Sequence, residues 1–260
     1  MSGTMPVTYV DTATAIARSG LRMTVVEGVP SPWGEAAKGI WHVKDLPWVA
    51  TRLDPTDPVQ VEWTGRQSAP VVLYDKEPPR DRWIDILLLA ERLAPSPALV
   101  PKDPVDRALA IGLSHEICGE HGLAWSRRLW LTHLGLNGRG GFSAMVSAYL
   151  AAKYAYDANI AQTAPQRIRA LLGLFAARLK AQRARGSDYL MGDGISCVDI
   201  YLATAMALFR PLPQAQCEMR AQTRTAFETT DPETEAALDP ILLKHRDAIY
   251  ARHLELPLSL

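Results

Sequence analysis

"GDGISCVDIYLA", residues 192–203, sets Ser196 and Asp199 three positions apart at the mouth of an apolar run. That spacing is a capping box. The serine hydroxyl can take the N–H at the third helical position, and the acid can reach back to the serine's own N–H. Ile195 and Ile200 flank the box at the positions of a hydrophobic staple. The pattern predicts a buried helix from about residue 197, entered from "YLMG" at 189–192. A capping box alone opens many buried helices, so its neighbours must say more.

Composition narrows the possibilities. A chain of 260 residues can bury a sizeable core without covalent staples. Lys plus Arg and Asp plus Glu are 28 each, which gives no basic excess to attract nucleic acid or anionic lipid. Cys118, Cys197 and Cys217 are odd in number and far apart, against a disulfide framework or a zinc site. His115 and His121 are six apart, about 600° around a helix and a third of a turn out of line, and HExxH is absent, so no metal site is expected. No apolar run approaches the roughly 18 residues of a membrane span. A soluble protein of a reducing, cytoplasmic compartment is expected.

Character changes once along the chain. "APSPALVPKDP" holds Pro95, Pro97, Pro101 and Pro104 close together, which opposes a helix. This divides a domain at 1–95 from a second at 104–260, joined by a linker at 96–103. In the first, "MTVVEG" (23–28), "WVATRL" (48–53) and "PVVLYD" (70–75) read as strands. "SPWGEAAKGIWHVKD" (31–45) and a segment from Asp81 or Arg82 to Leu93 read as helices, with a short extra helix at 12–20. The first two strands should be parallel across the helix that joins them. The second domain reads as nearly unbroken helix to about 212. Polar loops with short helices follow, and a last helix runs near 240–253.

Two positions carry more than scaffolding. Ser31 caps the first long helix, where the dipole and free N–H groups favour an anion such as a thiolate. Pro70 precedes a β-branched run; a cis bond there would turn the Ala69 N–H and C=O toward a ligand's backbone.

"VPSPWGEAAKGI", then "SAPVV", the proline linker and the distant "YLMGDGISCVDIY" resemble, in order and spacing, the glutathione transferase superfamily over residues 21–212. The resemblance implies a thioredoxin-like α/β N-terminal domain that binds glutathione and an all-helical C-terminal domain that shapes the second-substrate pocket. It places Ser31 on the catalytic Ser/Cys position and Ala69 and Pro70 on the cis-proline pair. The family's Glu-Ser at the next helix is replaced by "RDRW": either Asp81 takes the γ-glutamyl amine and Arg82 or Arg80 its carboxylate, or Asp81 simply caps the helix. "DKEPPRD" should also cut the fourth strand short. Trp33, Trp125 and Trp130 are expected at the second-substrate pocket. Arg127 and Arg128 are left open, and Tyr149, Tyr154 and Tyr156 read as ordinary packing on an amphipathic helix.

Serine at 31 cannot form a disulfide, so the implied activity is thiolate activation toward a small apolar electrophile or peroxide, in a homodimer without metal. The alternative is a non-catalytic ligand-binding or protein-interaction module on the same fold.

Overall fold

The computed structural model describes residues 7–260. One of the two inner strands of its sheet, Leu21–Val25, is buried at every position, as a strand covered on both faces must be. The elements run β1 (Thr8–Tyr9), α1 (Thr12–Ala17), β2 (Leu21–Val25), α2 (Pro32–Val43), β3 (Trp48–Arg52), α3 (Pro58–Thr64), β4 (Val71–Tyr74) and α4 (Trp83–Leu93). The strand order is β1-β3-β2-β4. β2 pairs in parallel with β3, Met23 opposite Ala50, and antiparallel with β4, Met23 opposite Val72. After β4 only a single bridge, Val72 to Arg80, stands where a further strand would run; Pro78 and Pro79 lack the N–H groups that would extend it.

Two elements escape the sequence reading. β1 has two residues and, among the described residues, pairs with β3 alone. α3 is seven residues long, started by Asp57 and Pro58 and stopped by Gly65 at φ 67°.

Residues 94–103 have neither helix nor strand. Beyond them come α5 (Pro104–Cys118), α6 (Leu123–Leu136), α7 (Ala144–Lys153), α8 (Ala158–Ala184) and α9 (Cys197–Ala205), then a 3₁₀ turn at Met206–Leu208. α10 (Ala221–Glu228), α11 (Pro232–Ala237) and α12 (Pro240–His253) complete the chain. Buried residues form one continuous cluster through the sheet layer and the helices.

α9 is at its centre. All nine of its residues are buried, and it begins with the Ser196–Asp199 capping box. Asp199, fully enclosed, accepts from the Ser196 N–H (2.9 Å), the Ser196 hydroxyl (2.6 Å) and the Leu190 N–H (2.7 Å). His245 Nε2 of α12 lies 3.3 Å from its Oδ1. The Cys197 N–H reaches back to the Leu99 carbonyl (2.9 Å), tying α9 to the proline-rich connection. On the other side α9 meets α2 closely: a Cβ at Gly39 would stand 3.2 Å from Ile200.

Removing a carboxylate from such a site strands several donors, each costing about 1–3 kcal/mol. Asp199→Ala is therefore expected to lower stability by roughly 3–5 kcal/mol. The readout is the urea midpoint at an unchanged m-value.

Candidate functional site

Among the described residues five helices begin with proline, and they share a start signal that one of them does not use. Asp57, Asp103, Asp231 and Asp239 each precede such a proline, and each carboxylate accepts from an N–H of its helix's first turn. Ser31 precedes Pro32 in the same way, yet its side chain makes no capping bond. Its backbone is engaged, with its N–H on Val29 C=O (2.9 Å) and its C=O on the Glu35 N–H (2.8 Å). The hydroxyl remains available, half-buried, at the positive end of a 12-residue helix.

Ser31 lines a cleft of about 410 Å³, a size that suits a small ligand. Trp33 and Ala69 share its wall with Ser31. The Ala69–Pro70 peptide is cis. The next residue's N–H, that of Val71, is taken by Thr24 Oγ1 at 3.1 Å. Opposite stand Phe142, Val146, Tyr149, Tyr154 and Phe227 of the helical part. Phe142 and Phe227 meet edge to face at 5.7 Å. Phe142 follows Gly141, whose φ of 73° and tight fit, a Cβ falling 2.3 Å from Leu131 C=O, admit glycine alone.

Trp33 joins the two sides. Its indole N–H donates to Cys118 C=O at the end of α5 (3.0 Å), and its ring carries the Arg128 guanidinium at 4.5 Å. Arg128 is stacked on the other face by Tyr154 at 4.0 Å; burial pulls its pKa down. Arg127, its neighbour, is fully buried and structural, donating to Leu208, Phe227 and Thr229 carbonyls behind the cleft. Burial pushes Arg127 down to about 9.

The other sequence-selected residues spread around this cleft. Pro70 and Asp81 border, with Trp33, a small adjoining void. Asp81 does not cap α4: the helix starts at Trp83 after Arg82, which makes no side-chain cap bond, because the Asp81 carboxylate is drawn to Arg66 Nε at 2.5 Å. Arg80 turns to Glu77 (2.6 Å), whose carboxyl Arg92 and Arg80 hold below its usual range. Arg82 is exposed. Of the three tryptophans only Trp33 is on the cleft. Trp125 lines a separate small void, and Trp130 stacks on His133 with centroids 5.3 Å apart. Tyr149 and Tyr154, read from sequence as packing, instead face the cleft, because α7 stops at Lys153 and Ala155 turns at φ 46°.

All three thiols are buried and unbonded. Among the described residues no cluster of His, Cys, Asp and Glu could hold a metal.

A sheet covered on both faces and bearing a cis-proline and an uncapped serine, followed by an all-helical part, is the glutathione S-transferase fold: a thioredoxin-like N-terminal domain and a helical C-terminal domain. The family model "Glutathione S-transferase, C-terminal domain" matches residues 141–223. Three solved structures with this fold are similar over most of the chain. A glutathione S-transferase from Methylobacterium radiotolerans in complex with glutathione sulfonate is 19% identical, covering 90% of this chain and 92% of its own, at a TM-score of 0.59. A glutathione transferase family member from Pseudomonas fluorescens with two glutathione bound is 14% identical, over 90% and 89%, at 0.61. Glutathione transferase Omega 3C from Trametes versicolor is 16% identical, over 92% and 89%, at 0.56. No curated protein matches the sequence.

The buried thiols give a test. Burial raises Cys197 and Cys217 to about 11 and Cys118 well above its usual value. None should react with a disulfide reagent until the protein unfolds, when three equivalents appear. A raised folded-state pKa means stability that is full below the unfolded value of 9.0 and lost as pH climbs toward about 11. The urea midpoint should fall across that window, less steeply in Cys197→Ala.

Proposed function

We propose that this protein is a glutathione transferase of the serine type, which activates the glutathione thiolate for attack on a small apolar electrophile. The observation that carries the reading is the idle hydroxyl of Ser31. Four sister helices spend their capping residue on the helix, while this one leaves an O–H donor at a helix N-terminus on a ligand-sized cleft. Glutathione's sulfur placed there would accept from Ser31 and feel the positive end of α2, so its thiol would ionise near neutral pH.

Ala69 supports the rest of the tripeptide. Its N–H and C=O, next to Pro70, are the groups a cysteinyl backbone would pair with. For the γ-glutamyl end, Asp81 would take the ammonium with its free Oδ1, and Arg66, bonded to Oδ2, or the exposed Arg82 would take the carboxylate. Arg80, already committed to Glu77, is left out. In the reaction the thiolate forms an S–C bond while the leaving group departs with the bonding pair. With a peroxide the sulfur takes the outer oxygen, an alcohol leaves, and a second glutathione converts the sulfenic acid to glutathione disulfide and water. A homodimer in a reducing, cytoplasmic setting completes the reading. The three unbonded cysteines fit such a setting, and no described helix is long and apolar enough to cross a membrane.

Replacing Ser31 by Ala should lower kcat/KM by roughly 10²–10³, the size expected for losing one oriented donor to a developing or formed anion. The thiolate absorbance of bound glutathione should fall in parallel. Because no capping bond is lost, the urea midpoint should not move, unlike the ~1 kcal/mol of an ordinary cap. Unchanged turnover would exclude the role and favour a non-catalytic ligand-binding module.

Asp81→Asn should weaken S-methylglutathione binding about tenfold by calorimetry, and Arg80→Gln less than twofold. Light scattering on the wild type should give twice the mass of one chain.

A further inference from the structure

The helical wall of the cleft, mostly apolar and aromatic with a few neutral polar groups, carries two charged side chains, both cations: Arg128 and Lys153. An apolar pocket is a costly place for positive charge, because an ion removed from water loses hydration that hydrocarbon cannot replace. Proteins normally offset that loss with a carboxylate. This protein does so wherever it buries a lysine elsewhere: Lys38 pairs with Glu35 and Lys44 with Glu91, each at 2.7 Å.

The cleft cations have no such partner among the described residues. Arg128 is held between the faces of Trp33 and Tyr154. Lys153 donates to Gln67 C=O (3.2 Å) and to the Tyr149 hydroxyl (3.1 Å), and its ammonium lies 5.2 and 5.4 Å from the Tyr149 and Tyr154 ring centres. Tyr154 therefore stands between the two charges and touches both. Desolvation lowers the pKa of each, as expected of cations lacking a counter-ion. Aromatic faces orient a cation but carry no net charge, so the pair presents an unsatisfied charge of two, fixed in place, to whatever enters.

From this we infer that the second substrate is an apolar molecule carrying an anionic group, a carboxylate foremost, which Arg128 and Lys153 seat while its hydrocarbon body lies among Phe142, Val146 and Phe227. The inference rests on the proposed use of this cleft for glutathione and a second substrate. Arg128, whose side chain touches Trp33 two residues from Ser31, would hold the anion near the sulfur. Lys153, bonded to the Gln67 carbonyl two residues before Ala69, would close the far side. Charge-assisted bonds to a desolvated carboxylate are strong enough to select it over a neutral isostere.

A carboxylate could also come from glutathione itself, and the test must separate the two. The probes are 4-biphenylcarboxylate and its neutral isostere 4-biphenylcarboxamide, titrated calorimetrically into the full-length protein, alone and with saturating S-methylglutathione. The expected result is at least tenfold tighter binding of the carboxylate in both conditions, a ratio that collapses toward one in Arg128→Gln and in Lys153→Gln and recovers in Arg128→Lys. Lys153, being partly exposed at the end of α7, gives a folded variant even if Arg128→Gln does not fold. Equal affinities in the wild type, or a preference that survives both glutamine variants, overturn the inference. So does a preference that vanishes once S-methylglutathione is bound, because glutathione's own carboxylate would then occupy the cations. Titration of S-methylglutathione alone separates the two readings: no heat there removes the glutathione assignment and leaves the probe ratio to decide the anion site.

Discussion

The buried carboxylate of Asp199 fixes α9, and through α9 the helix that carries Ser31 to the cleft. It is unexposed and meets two main-chain N–H groups and a hydroxyl, so the loop carrying Leu190 and the first turn of α9 cannot move independently. The loop is fastened further by Arg178 on Leu190 C=O (2.7 Å) and Gln182 on Tyr189 C=O (3.1 Å). A buried polar group is stable only when its bonds are all made, which ties this region together. With α9 fixed, its contact with α2 across Gly39 sets the depth of α2, and so the place of Ser31. Lys44, at the other end of α2, completes the restraint by bonding Ala94 and Pro97 carbonyls (2.6 and 2.9 Å) and Glu91.

The two walls of the cleft divide the labour by chemistry. The α/β wall offers backbone groups, a helix dipole and a hydroxyl, which are small, rigid and suited to one particular ligand. The helical wall offers side chains: aromatic rings for bulk, and two cations that have no carboxylate partner among the described residues. Trp33 is the hinge between these styles, rooted in α2, bonded to α5 and stacked beneath Arg128. On the proposed function, such a site would separate the recognition of a constant ligand from that of a variable one.

Local chemistry explains which parts were legible in the sequence. Capping boxes, prolines at helix starts and β-branched runs act over a few residues, so α2, β3, β4, α9 and α12 lie within one or two residues of where the pattern puts them, and β2 starts two earlier. β1 is too short to have a pattern, and α3 was hidden because its signal, Asp57–Pro58 followed by Gly65, also fits a turn. Side-chain destinations depend on residues far away in the chain. Asp81 has the look of a cap until Arg66, fifteen residues earlier, takes its carboxylate. Tyr149 and Tyr154 read as packing because only the break after Lys153 aims them at the cleft, and Phe227 comes from a segment whose polarity suggested surface loop. Trp125 and Trp130 carried the same aromatic signal as Trp33 and face elsewhere.

The contrast among the five proline-started helices shows where stability yields to availability. An aspartate before the proline satisfies first-turn N–H groups at four of them, a contribution of about 1 kcal/mol each. At the fifth, a serine on the cleft wall withholds its side chain from those N–H groups. An aspartate there would cap the helix and place a negative charge beside the thiolate of the proposed reaction. A serine that capped would turn its hydroxyl inward and lose its direction. The uncapped serine thus leaves a hydroxyl at the N-terminus of α2 on the cleft wall, on a helix held in place by its packing on α9 and by the bonds of Lys44.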